Sequence, residues 1–117
     1  MIKKRFSIDV YNYTFTLVIW WDDDDLLSII GGQEFNHPIS EFDGGLFQYN
    51  EMQYIAIKAG CSFGTIAHES FHLMNRVMDY IGQIPDRNVD EADAYLLTWI
   101  VDEIHEFIEL NKNKIGR

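Results

Sequence analysis

One stretch near the middle of the chain constrains the fold most: a helix running from Ser62 to Gly82 that must bury one face and leave another open. Ile66, Ala67, Phe71, Met74, Val77, Met78 and Ile81 recur at helical spacings and form an apolar stripe. Ser62 or Thr65 supplies the oxygen that caps the first turn. Gly82, with Pro85 beyond it, ends the helix in the expected order. Such a helix draws most of its stability from covering its stripe, so the remainder of the chain must provide an apolar surface.

That surface is predicted upstream. Arg5–Tyr11 alternates in polarity, and Tyr13–Trp20 is aromatic and β-branched, with Asn12 between them as a turn residue. Leu46–Tyr49 and Gln53–Lys58 form a second hairpin around Asn50-Glu51. Between the hairpins, Asp22 to Asp25 repel one another and suit a solvated turn or the N-terminus of a short helix over Leu26–Ile30. The spaced acidic pattern of a calcium loop is absent there. The connection from Gly31-Gly32 to Gly44-Gly45 is loop-rich and holds His37-Pro38, placed to flank a site. A second helix begins near Asn88, with Leu97, Ile100, Val101, Ile104 and Ile108 on its apolar side. Strands first and helices later indicate an α+β fold: an N-terminal antiparallel sheet of two hairpins, then a site-bearing helix and a C-terminal helix. A chain of 117 residues fits one domain over 1–117.

Charge and composition exclude several classes of function. The net charge of −10 would repel a nucleic-acid backbone. Lys3-Lys4-Arg5 and the sparse Lys112, Lys114 and Arg117 sit in no recognisable nucleic-acid module, so no nucleic-acid partner is expected. No apolar run is long enough to cross a bilayer, so no membrane span is expected. The basic residues at the start are followed by alternation and not by an apolar signal-peptide core. A single cysteine, Cys61, rules out an internal disulfide, reads as a small packed side chain and fits a cytoplasmic setting.

The polar face of the central helix carries the chemistry. His68-Glu69-Ser70-Phe71-His72 is an H-E-x-x-H pattern, which a random arrangement of this composition produces in about 1 chain in 100. Residues four apart lie one turn above each other, so two imidazoles can share one Zn²⁺ at about 2.0–2.1 Å each. Glu69 then lies where it can take a proton from a bound water. The competing reading makes both histidines ordinary structural residues. Asn75 and Asp79 continue the same face as supporting groups.

A catalytic zinc needs a third protein ligand. The second helix offers Glu91 near its start, and Asp90 and Asp93 stand beside it. Glu91 also sits three residues after Asn88, as in a capping box, a role that competes for the same carboxylate. From Glu91 a polar stripe runs through Tyr95, Thr98, Asp102, His105 and Glu109. It is either a solvated face or, in its first turns, part of the site. In the second case Tyr95 donates a hydrogen bond to an oxyanion or orients a ligand.

These motifs resemble the gluzincin metallopeptidases, in which H-E-x-x-H is followed by a glutamate ligand at about the distance that separates His72 from Glu91. More narrowly, Ala67-His-Glu-x-x-His72 with Glu91-Ala-Asp-Ala-Tyr-Leu96 is similar to the signatures of the ImmA/IrrE metallopeptidases and of small phage or prophage zincin-like proteins. Tyr95, Leu96 and Phe71 depart from the usual Phe, Ala and Gly of those signatures. The resemblance covers residues 64–100. It implies a zinc-dependent peptidase with His68, His72 and Glu91 as ligands, Glu69 as general base and a peptide or protein as substrate. It also implies that the strand before the metal helix, Gln53–Lys58, is the edge along which a peptide extends. The rival expectation is a non-enzymatic acidic protein of a mobile element that binds and inhibits a host factor.

Overall fold

The structure is a computed structural model that describes residues 1–30 and 42–115. The segment with His37-Pro38 lies outside the described residues. The fold is α+β, as the order of elements requires.

Strand β1 (Ile2–Ile8) and strand β2 (Tyr13–Trp20) form the first hairpin, in antiparallel register from Ile2↔Ile19 to Ile8↔Tyr13. A 3-10 turn over Asp9–Tyr11 leads into Asn12, which reverses the chain at φ 52° and ψ 47°. Asn is among the few residues that accept this left-handed conformation at low cost. Helix α1 (Asp23–Ile30) follows, with its acids in the first turn and the Asp22 carboxylate accepting from the Asp24 N–H at 2.9 Å. The acidic run is therefore a helix N-terminus. Strand β3 (Gly44–Tyr49) and strand β4 (Met52–Lys58) form the second hairpin. Asn50 and Glu51 both have positive φ, the two-residue turn whose twist matches a hairpin.

The sheet order is β1-β2-β4-β3, and β2 pairs with β4 in parallel. The sheet is therefore mixed, not the wholly antiparallel one expected from two hairpins. Both central strands are covered on both faces, which suits their continuous apolar runs. Phe15, Leu17, Ile19, Ile55 and Ile57 face the long helices. Val18, Trp20 and Ala56 face the other way, against Leu26 and Ile29 of α1. The topology also corrects the edge assignment. Gln53–Lys58 is interior, with β2 on one side and β3 on the other; among the described strands β1 and β3 are the edges, and β3 is the one that α2 packs on.

Helix α2 (Phe63–Tyr80) packs on β3 and β4 and against helix α3 (Glu91–Leu110); a short helix α4 (Lys112–Ile115) follows. Ser62 caps α2 by accepting from the Thr65 N–H at 3.1 Å. At the other end Gln83 N–H bonds to the Met78 carbonyl and Gly82 N–H to the Asp79 carbonyl, with Gly82 at φ 80°. This paired termination requires a left-handed residue, which glycine supplies. The buried arc of α2 is Ile66, Glu69, Ser70, Leu73, Met74, Val77 and Met78. Phe71, expected in the stripe, is 49% exposed. It stands about 200° round the helix from Glu69, on the far side from the sheet.

Candidate functional site

Helix α2 places His68 and His72 one turn apart, with their Nε2 atoms 3.1 Å from each other and their rings at 80°. Two nitrogens bound to one tetrahedral ion at about 2.0–2.1 Å lie roughly 3.3 Å apart. The observed separation therefore suits a shared zinc as well as it suits a hydrogen bond between the rings. The His68 side chain is 66% exposed, so its lone pair is open to an incoming ion.

Glu69 lies about 100° further round the helix, toward the sheet. It is only 7% exposed, and its Oε1 is 3.8 Å from His68 Nε2. Edge strand β3 makes this burial possible. A Cβ at Gly44 would stand 2.8 Å from Glu69 Cγ, 3.2 Å from the Ala56 carbonyl oxygen and 3.2 Å from Thr65 Cγ2. Only a residue without a side chain lets β3 cross so close to α2.

Burial pushes the Glu69 carboxyl above its ordinary range, and the charges of His68 and His72 oppose that shift more weakly. A carboxylate moved upward is a better proton acceptor near neutrality. The same shift makes a stability prediction for the metal-free protein. The folded state prefers Glu69 protonated, so its contribution is fully present below the ordinary pKa of about 4.3 and is lost as pH rises through the raised value. Glu69→Gln mimics the protonated form. Its melting temperature, measured with chelator, is expected to exceed that of wild type by a margin that widens from pH 4 to pH 7. A margin that narrows over that range contradicts the burial argument.

The His pair and Glu69 open into a cleft of about 780 Å³, within the size range of small-molecule and peptide sites. Leu46 of β3 forms one wall, and Asn75, Arg76 and Asp79 extend the histidine face along α2. Gln83, Pro85 and Asp93 close the far side. Asn75 and Asp79 thus lie where the sequence puts them.

The acids of α3 fall out differently. Asp93 lines the cleft, whereas Glu91 is exposed and is absent from the cleft lining. Two positions on a helix are about 200° apart, so the turn that brings Asp93 into the cleft lining carries Glu91 away from it. Glu91 is not engaged in a capping box either. The N-cap position is Asp90, and the Asn88 N–H bonds instead to Asp86 Oδ1. Tyr95 is likewise two positions from Asp93. It is 73% exposed and lines a separate groove with Val10, Leu96 and Trp99, so the structure does not bring it to the His pair. Thr98, Asp102, His105 and Glu109 are exposed, which is the solvated-face reading of that stripe. Among the described residues, no three His, Cys, Asp or Glu side chains gather closely enough to hold a metal ion. The donor set therefore fits zinc in two of its positions.

Arg76 is the site residue that the sequence reading passed over. It stands four residues after His72, the same interval that links the two histidines, and that interval was the available signal. Its Nη1 donates to Gln53 Oε1 at 3.3 Å. Its charge also reaches Tyr13, whose hydroxyl is pushed up chiefly by burial and pulled back by Arg76.

Compared with known protein families, with curated proteins and with solved structures, the chain matches none. Among the described residues no helix is long and apolar enough to cross a membrane.

Proposed function

We propose that this chain is a zinc-dependent metallopeptidase. The observation that carries the reading is the convergence, in one open cleft beside a strand edge, of the paired His68 and His72 Nε2 atoms and the buried, proton-seeking Glu69. His68 and His72 would hold the ion through Nε2, which requires the proton of each neutral ring to sit on Nδ1. A third donor would have to come from an acid of the first turn of α3, of which Asp93 lines the cleft. Zinc bound there would lower the pKa of a water toward about 7 and polarise a carbonyl. Glu69 takes the proton of the attacking water on its carboxylate and then delivers it to the leaving amine. A peptide lies along β3, where main-chain hydrogen bonds to an edge strand fix its direction.

The first test is zinc content by elemental mass spectrometry. Wild type is expected to carry about one zinc per chain and His72→Ala much less, because removing one of three ligands opens the chelate. Wild type that stays metal-free after reconstitution with zinc overturns the metal reading. It would leave the acidic, non-enzymatic binding protein as the better account.

A further inference from the structure

Among the described residues that line the cleft, one carries a permanent positive charge, and an amide rather than a carboxylate holds it in place. Arg76 lies one helical turn beyond His72, about 6 Å along the axis of α2. Among the described residues it makes no ion pair, although Asp79 and Asp93 line the same cleft. Its anchor is Gln53, which is 4% exposed on the sheet face beneath it. The Gln53 amide nitrogen donates to the Phe47 carbonyl at 3.2 Å and to the Tyr54 carbonyl at 2.9 Å, which uses both of its N–H groups. Its oxygen is thereby fixed toward α2, where it receives Arg76 Nη1. A guanidinium has five N–H donors in a planar fork. This contact occupies one of them and leaves the rest for a ligand.

From these contacts we infer that Arg76 is a specificity-determining residue that binds a substrate carboxylate within one or two residues of the scissile bond. The inference rests on the peptidase reading for the position of that bond. The spacing follows from the fold. Strand β3 runs alongside α2, with Gly44 against Glu69 and Gln48 paired to Gln53 beside Arg76. A peptide extended along this edge advances about 3.3 Å per residue. The rise of about 6 Å from His72 to Arg76 therefore spans one to two residues of substrate. A forked guanidinium pre-oriented by a buried amide suits a planar carboxylate, and such charge-assisted pairs are about twice as strong as neutral hydrogen bonds. The carboxylate is either an acidic side chain or the C-terminus of a short peptide, and the chemistry at Arg76 is the same.

The test measures binding, so it does not depend on turnover. Zinc-reconstituted full-length Glu69→Gln protein is titrated with three probes while the α2 amides and the Arg76 guanidinium are followed by NMR. The probes are acetyl-trialanine with a free C-terminus, its C-terminal amide, and an amidated peptide with Glu in place of one Ala. At least one carboxylate probe is expected to bind about tenfold or more tightly than the neutral amide, with shifts at Arg76. Which of the two does so identifies the source of the carboxylate. The preference is expected to vanish in Arg76→Gln and to shrink in Arg76→Lys, which keeps the charge but loses the fork. An unchanged amide spectrum shows that either variant has folded. Equal binding of all three probes, or a preference that survives Arg76→Gln, overturns the inference. A carboxylate preference without any hydrolysis by wild type supports this site and counts against the peptidase reading. Hydrolysis without a preference does the reverse.

Discussion

Glu69→Gln is expected to lower kcat by about 10²–10⁴-fold in zinc-reconstituted protein while leaving metal content at the wild-type level. The two halves of this expectation come from different atoms. In the proposed site metal would be held by His68 and His72, whose Nε2 atoms face each other at 3.1 Å. Glu69 is turned toward the sheet, with Oε1 3.8 Å from His68 Nε2, and would act through its proton affinity. Gln keeps the shape of the side chain and removes that affinity. The measurement is hydrolysis of a quenched-fluorescent peptide library by wild type, Glu69→Gln and His72→Ala, with chelated protein as the zero. His72→Ala should lose metal and turnover together, whereas Glu69→Gln should lose turnover alone. Zinc-loaded Glu69→Gln that clearly exceeds the chelated control removes Glu69 from the mechanism. The same substitution is the one expected to stabilise the metal-free fold at pH 7. A variant that is both more stable and less active is the signature of a group kept at a cost to stability for its chemistry.

Much of this architecture is written in local signals, and the parts that are not share a physical cause. Asn12 and Asn50-Glu51 mark both chain reversals, and Ser62 and Gly82 mark the ends of α2 within a residue or two, because each depends on a few adjacent backbone angles. The pairing of β2 with β4 joins strands separated in sequence by α1, the connection after it and β3, and no local rule covers such a span. A trace of it was present. Leu17 to Trp20 and Ile55 to Ile57 are unbroken apolar runs, as expected of strands covered on both faces, whereas an edge strand needs only one apolar face. The His pair was legible because four residues make one turn. The burial of Glu69 was not, because glutamate on a helix is normally solvated and its cover comes from Gly44, two strands back along the chain. Whether Glu91 or Asp93 lines the cleft turned on the rotation of α3, which the sequence leaves open until the packing of Leu96, Ile100 and Ile104 on the core fixes it.

Gly44→Ala is expected to destabilise the fold by about 1–3 kcal/mol, the usual range for forcing an extra methyl group into a filled interior. It is also expected to reduce turnover. The new Cβ would lie 2.8 Å from Glu69 Cγ, and retreat is blocked by the Ala56 carbonyl oxygen and Thr65 Cγ2, both at 3.2 Å. Either β3 lifts away from α2 or the Glu69 side chain moves. Both outcomes displace the carboxylate from its place beside His68, and small displacements of a catalytic group are costly in rate. Gly45 provides the internal control. A Cβ there meets nothing within 4 Å, so Gly45→Ala should be close to neutral in stability and activity. Denaturant unfolding of both variants, with and without Glu69→Ala, separates the causes. If the penalty at Gly44 is the collision with Glu69, shortening Glu69 should recover part of it, and the two changes should be strongly non-additive. A Gly44→Ala protein as stable and as active as Gly45→Ala would mean that β3 does not hold Glu69. The carboxylate would then owe its raised proton affinity to some other neighbour.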